Sequence, residues 1–209
     1  MLPEATHNPG MKTELLTALA AFSLVSSITP GPNNLMLMAS GANFGFMRTL
    51  PHMMGVNLGF TLMVALVGLG LAGLFELYPV AKTVLTAISV AYLIYLAWKI
   101  ARAGAPKAEG DAAGRPFTFL QAAAFQWVNP KAWTMALTAM TAYAPGATAT
   151  AALLVAAVFG VVNLPSIVVW VVAGQGLRRF LTNERRLTLF NYTMAGLLLA
   201  SLYPVVFAR

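Results

Sequence analysis

Ile28-Thr29-Pro30-Gly31-Pro32-Asn33-Asn34 interrupts an apolar stretch that runs from about residue 14 to residue 44. Pro30 and Pro32 carry no amide proton, so the carbonyls of Ser26 and Ile28 lose the donors that a continuous helix would supply. Gly31 adds conformational freedom between them. In a bilayer an unpaired backbone group costs several kcal/mol, and such a break persists only where it lines a cavity or another segment of protein. Beyond it, Asn33 and Asn34 open a new half-helix whose free amides point back into the break.

The rest of the chain explains why lipid is the solvent. Of 209 residues, 59% are hydrophobic and 9% are charged. A soluble domain carries roughly 25% charged residues, and a chain this poor in charge cannot cover a globular surface. Besides the interrupted stretch, apolar segments at about 50–74, 79–101, 117–142, 148–174 and 187–207 are long enough to cross the hydrocarbon as helices. They lack the alternation of strands. A cleaved signal peptide at 12–28 is not favoured, because further spans follow without a small-residue cleavage site. Met11-Lys12-Thr13-Glu14 also reads as a start of its own.

Positive charges orient the spans. Arg48, Lys99, Arg102, Lys107, Arg115, Arg178, Arg179, Arg185 and Arg186 lie in the first, third and fifth loops; Lys12, Lys82 and Arg209 lie on the other side. The excess predicts that the odd loops are cytoplasmic and both termini external. The same placement accounts for the net charge of +7 without a nucleic-acid partner.

The fourth span repeats the device of the first. Asn129-Pro130-Lys131 combines a capping residue with proline at the first helical position, a helix start in mid-span. Pro130 also frees the carbonyl of Gln126. A second echo links Gly55-Val56-Asn57-Leu58-Gly59 to Gly160-Val161-Val162-Asn163-Leu164-Pro165. Three spans per half make the halves face opposite ways. The predicted fold is an all-α membrane protein of six transmembrane helices, two inverted three-helix repeats with the first and fourth helices broken at proline. One transporter domain covers 1–209, with repeats at about 12–101 and 117–207 joined by a loop at 102–116.

At these residues the chain resembles the LysE/RhtB amino-acid exporter family. The resemblance runs through Ile28 to Asn33, the glycines Gly41, Gly45, Gly55 and Gly59, the segment Ala91-Tyr92-Leu93-Ile94-Tyr95-Leu96-Ala97-Trp98-Lys99, and Asn129-Pro130-Lys131. It implies a multi-pass exporter of amino acids or similar metabolites in a bacterial inner membrane, an antiporter driven by the proton gradient. The chain departs from the family at Phe60, where many members carry an acidic residue, and at Ser89 and Ala97, where glycine is usual. No Asp or Glu lies deep in a span, which favours a neutral substrate and removes the usual carboxylate relay, leaving Lys131 or Glu76 to carry coupling.

The residues expected to form the substrate site are Pro30, Gly31, Pro32, Asn33, Asn34, Asn57, Asn129, Pro130, Lys131 and Asn163. A zwitterion between the breaks would place its carboxylate on the amides after Pro32 and on Lys131. Its ammonium would meet the carbonyls of Ser26, Ile28 and Gln126. A competing role for Lys131 is structural, pairing with loosened carbonyls at the break. The glycine pairs Gly41/Gly45 and Gly55/Gly59 read as close-packing faces, and a homodimer is left open.

Other functions fit less well. The chain has no cysteine, and His7 and His52 lie in different segments, read as a tail residue and an interfacial one, so no metal or cofactor is expected. No nucleophile elbow, paired carboxylates or phosphate-binding loop supports an enzyme or an ATPase. A passive channel, an exporter of a different solute and a scaffold are the remaining alternatives.

Overall fold

The computed structural model describes residues 9–73, 77–103, 115–144, 146 and 148–203. Among these the ordered elements are helices, with no strand. In chain order they are α1 (Pro9–Ile28), α2 (Pro32–Phe44), α3 (Phe46–Leu66), α4 (Pro79–Ala101), α5 (Phe119–Phe125), α6 (Pro130–Tyr143), α7 (Ala149–Arg178) and α8 (Glu184–Ala200). A π-helical turn, Val67–Leu71, extends α3, and a 3-10 turn, Gln126–Val128, joins α5 to α6.

Each expected apolar segment is helical where it is described. Three helical stretches, Phe46–Leu71, Thr83–Ala101 and Ala149–Arg178, are long and apolar enough to cross a membrane. The pair Thr13–Ile28 and Pro32–Phe44, bent by 55° at the break, makes a fourth candidate span. The segment predicted at 117–142 is divided into helices of 7 and 14 residues, and α8 has 17 residues, so neither is a single long span. Glu76, Lys107, the ends of the second and last predicted spans at 74 and 204–207, and Arg209 lie outside the described residues.

Both breaks stand where proline predicts them. Gly31 caps α2 in an extended conformation and Pro32 takes its first turn. Asn129 caps α6, its side chain accepting the amide proton of Lys131, and Pro130 follows. Proline suits these first-turn positions because no intrahelical acceptor waits there.

Two close helix contacts set the frame around the breaks. At the α2–α7 crossing, a Cβ on Gly41 would land on the carbonyl oxygen of Val171, and one on Gly174 on that of Met38. Only glycine lets the two backbones approach so nearly. At the α3–α5 crossing, Gly55 meets the Phe119 carbonyl and Gly59 meets Ala123 in the same way. Three of the glycines expected to be packing surfaces therefore pack within the chain itself. Gly45 instead takes φ +79 between α2 and α3, where the left-handed region favours glycine.

Apolar packing completes the bundle. Leu19, Phe60, Met63, Phe159 and Ala136 join α1, α3, α6 and α7 in one cluster. Leu35, Leu93, Phe125 and Leu198 join α2, α4, α5 and α8 in another. The outer faces stay apolar, with Val25, Leu62, Val84, Val161 and Val169 each more than half exposed, the pattern of a lipid-facing surface.

The glycine contacts yield a direct test. Gly174→Val should cost about 1–3 kcal/mol or more through overpacking. Gly176→Val, where an added Cβ meets nothing within 4 Å, should be neutral. Thermal unfolding of both variants in detergent, followed by size-exclusion fluorescence, checks the difference.

Candidate functional site

The α1–α2 break opens the carbonyls of five successive residues, Ser26 to Pro30. In a continuous helix these would be met by the amides of residues 30–34, which the prolines and the turn remove. Each of the five finds a side-chain donor. The Thr29 hydroxyl donates to Ser26 O at 2.9 Å. Asn34 Nδ2 donates to Ser27 O at 2.7 Å and to Thr29 O at 2.8 Å. Trp170 Nε1, from α7, donates to Ile28 O at 3.0 Å. Lys131 Nζ, from α6, donates to Thr29 O at 2.7 Å and Pro30 O at 3.3 Å, and to Thr29 Oγ1 at 2.9 Å.

The second break closes by different means. The chain tightens into a 3-10 turn, so the Gln126 carbonyl accepts the amide of Asn129 at 3.3 Å. The carbonyl of Trp127 accepts the indole proton of Trp133 at 2.9 Å. The Gln126 side chain then reaches back to the first break. It exchanges two hydrogen bonds with the Asn33 amide, at 2.8 and 3.1 Å, and also donates to Ala122 O at 2.8 Å.

Between the two breaks lies a cleft of about 350 Å³. Gly31, Asn33, Asn34, Asn129, Lys131 and Asn163, six of the ten residues expected at the site, line it. Pro30 contributes its carbonyl to Lys131, while Pro32 and Pro130 start the helices that frame the cleft. Asn57 is buried and holds Asn163 from behind, its Oδ1 accepting Nδ2 of Asn163 at 2.9 Å. A Cβ on Gly31 would sit 2.6 Å from the lysine Cδ, so a larger residue there would make the flexible Lys131 side chain shift.

The carbonyls expected to receive a ligand's ammonium, those of Ser26, Ile28 and Gln126, each have a protein donor already. The Lys131 ammonium rests on loosened carbonyls, the arrangement its structural role requires. Ser27 and Gln126 are residues that sequence reading passed over. Both are buried; Ser27 is in the cleft lining, and its hydroxyl has no protein partner. A buried amide four residues before Pro130 was the available signal for Gln126; its carbonyl alone drew notice.

Charge in the cleft is one-sided. Lys131 is paired only with neutral dipoles, and Glu14 and Glu184, the acidic residues among those described, are not in its lining. A cation in an apolar segment without a carboxylate is expensive to hold.

A bundle of apolar helices, two of its segments broken around a polar cleft, defines a multi-pass membrane protein of the translocator class. The family model described as LysE type translocator matches residues 24–203, and the chain belongs to that family. Among curated proteins, the cysteine/O-acetylserine efflux protein of Escherichia coli (strain K12) is 34% identical over 134 residues, 64% of this chain and 67% of that protein. The protein of the same name from Shigella sonnei (strain Ss046) matches to the same extent. That of Shigella flexneri serotype 5b is 34% identical over 130 residues, 62% of this chain and 65% of its own. No solved structure matches the chain.

Two measurements probe the site's construction. Asn34→Ala strips Ser27 O of its donor and should cost about 1–3 kcal/mol, read as a lowered midpoint of thermal unfolding. A double-mutant cycle of Asn57→Ala and Asn163→Ala should return a coupling of about 0.6 kcal/mol, the average for such bonds in membranes.

Proposed function

We propose that this chain is a secondary transporter that exports neutral amino acids across a bacterial inner membrane, with the cleft between the breaks as the substrate site. The observation that carries the reading is the uncompensated Lys131 ammonium, held by three neutral oxygens beside the N-terminus of α2. An incoming carboxylate is a better acceptor than those oxygens, and the first-turn amides of α2 favour an anion at the same place. Ser27 and Asn163, both in the lining, are then available to the substrate's ammonium.

The lining supports a small polar solute, since Ser27, Asn33, Asn34, Asn129, Lys131 and Asn163 face one another there. Its positive charge disfavours a substrate with a cationic side chain. The relatives named for cysteine and O-acetylserine efflux fit this, because both compounds are neutral zwitterions.

Alternating access is the transport mode we infer, with the two halves as inverted repeats. The packing supports it: α1 lies on α7 as α5 lies on α3, and the equivalent residues Asn57 and Asn163 meet where α3 crosses α7. Exchange for protons would run through Lys131, the one formal charge among the described lining residues. The positive-charge count supports cytoplasmic odd loops and external termini.

Cells with and without the protein, loaded with a labelled panel that includes cysteine, O-acetylserine, serine and lysine, test the proposal. Export should lower the intracellular level of a neutral amino acid and leave lysine unchanged. Lys131→Met should reduce that export at least tenfold with the protein still inserted; undiminished export would rule out its role. In proteoliposomes saturable counterflow is expected, and a linear leak would indicate a channel instead.

A further inference from the structure

A second cavity, of about 490 Å³, opens where α4 ends and the chain enters α5. It shares no lining residue with the cleft between the breaks. Helix α2 contributes to both, Asn33 and Asn34 to the cleft and Met36, Ser40 and Asn43 further along to the second cavity.

His52 lines this cavity from α3. Expected at an interface, it is 1% exposed, and neither ring nitrogen has a hydrogen-bond partner within the protein. Its ring stands edge-on to Phe117 with centroids 5.2 Å apart, which fixes the ring but satisfies no polar atom. A neutral imidazole presents one donor and one acceptor, and leaving both unused in a buried place is costly.

The other polar side chains of the cavity are committed. Asn43 Nδ2 donates to Ala39 O at 2.8 Å and to Asn191 Oδ1 at 2.9 Å. The hydroxyls of Ser40 and Thr49 lie 2.9 Å apart, and Thr49 donates onward to Gly45 O. Two cations complete the lining: Lys99, its ammonium 4.8 Å from the Phe117 ring centroid, and Arg115. No acidic residue stands among the described lining residues, and Met36, Leu96 and Ile100 supply apolar wall.

We propose that this cavity is a second ligand site, built for a small organic carboxylate. Lys99 and Arg115 counter the carboxylate's charge, His52 donates a ring proton to it, and the apolar wall holds the carbon skeleton. Two cations, with no anion among the described lining residues, select the charge. The apolar wall and the buried imidazole favour a small organic solute over the phosphate of a lipid headgroup. The assignment depends on neither Lys131 nor the transport direction.

The sequence has two histidines, so a His7→Gln chain without a histidine tag reports His52 alone in a ¹⁵N-histidine NMR spectrum. Acetate and L-alanine, added to this protein in nanodiscs of neutral lipid, should shift the ring resonances saturably, and methylammonium should not. Lys99→Gln with Arg115→Gln should weaken that binding at least tenfold with the thermal midpoint retained; the single variants serve if the pair does not fold. Lys131→Met should leave it unaltered. Absence of any carboxylate-dependent shift would overturn the proposal, as would equal binding by the charge-removed variants. Saturation by inorganic phosphate or anionic lipid that carboxylates fail to displace would give the site to a headgroup and likewise overturn it.

Discussion

The need to satisfy backbone carbonyls away from water governs this structure. Breaking the first helix at Pro30 and Pro32 exposes five carbonyls in a segment flanked by apolar helix. In lipid each would cost several kcal/mol if left unpaired. The protein meets them with the side chains of Thr29, Asn34, Trp170 and Lys131. Two of those donors come from the second half of the chain. The break is therefore stable only when α6 and α7 are docked on it, and the local irregularity becomes a tertiary constraint.

That constraint explains the spacing of the helices. Lys131 reaches Thr29 and Pro30 across the open side of Gly31, where a Cβ would crowd the lysine's flexible end. Trp170 can reach Ile28 because Gly41 and Gly174 let α2 and α7 approach to backbone contact. The amide pairs Asn33–Gln126 and Asn57–Asn163 then fasten the two halves on either side of the cleft. Each amide pair is modest in energy, but each has a defined geometry, and apolar packing in lipid supplies little direction of its own.

The same arrangement leaves the cleft electrostatically unfinished. Carbonyl dipoles solvate the Lys131 ammonium without neutralising it. Phe60, where the resemblance leads one to expect an acidic residue, packs in the apolar cluster and lines the cleft. Membership in the LysE type translocators thus comes with a positively charged cleft in this chain. Charge of that sign supports selection of a carboxylate and rejection of cationic side chains.

The helical class and the position of both breaks were legible in the sequence. Apolar length and the missing proline amide are local properties, and each needs no partner to act. Six of the ten residues expected at the site line one cleft, five of them polar residues at depth in apolar segments, which must gather away from lipid. The fate of the opened carbonyls was not. Whether Ser26, Ile28 and Gln126 faced a ligand or a side chain depended on which donors folding carries there, across separations of up to 142 residues. His52 shows the same division: its neighbours in sequence suggest a water-facing helix end, while Phe117, 65 positions away, covers it. The sequence by itself determined where the chain must break; only the tertiary structure decided what fills each break, because hydrogen-bond partners are chosen by packing and not by adjacency.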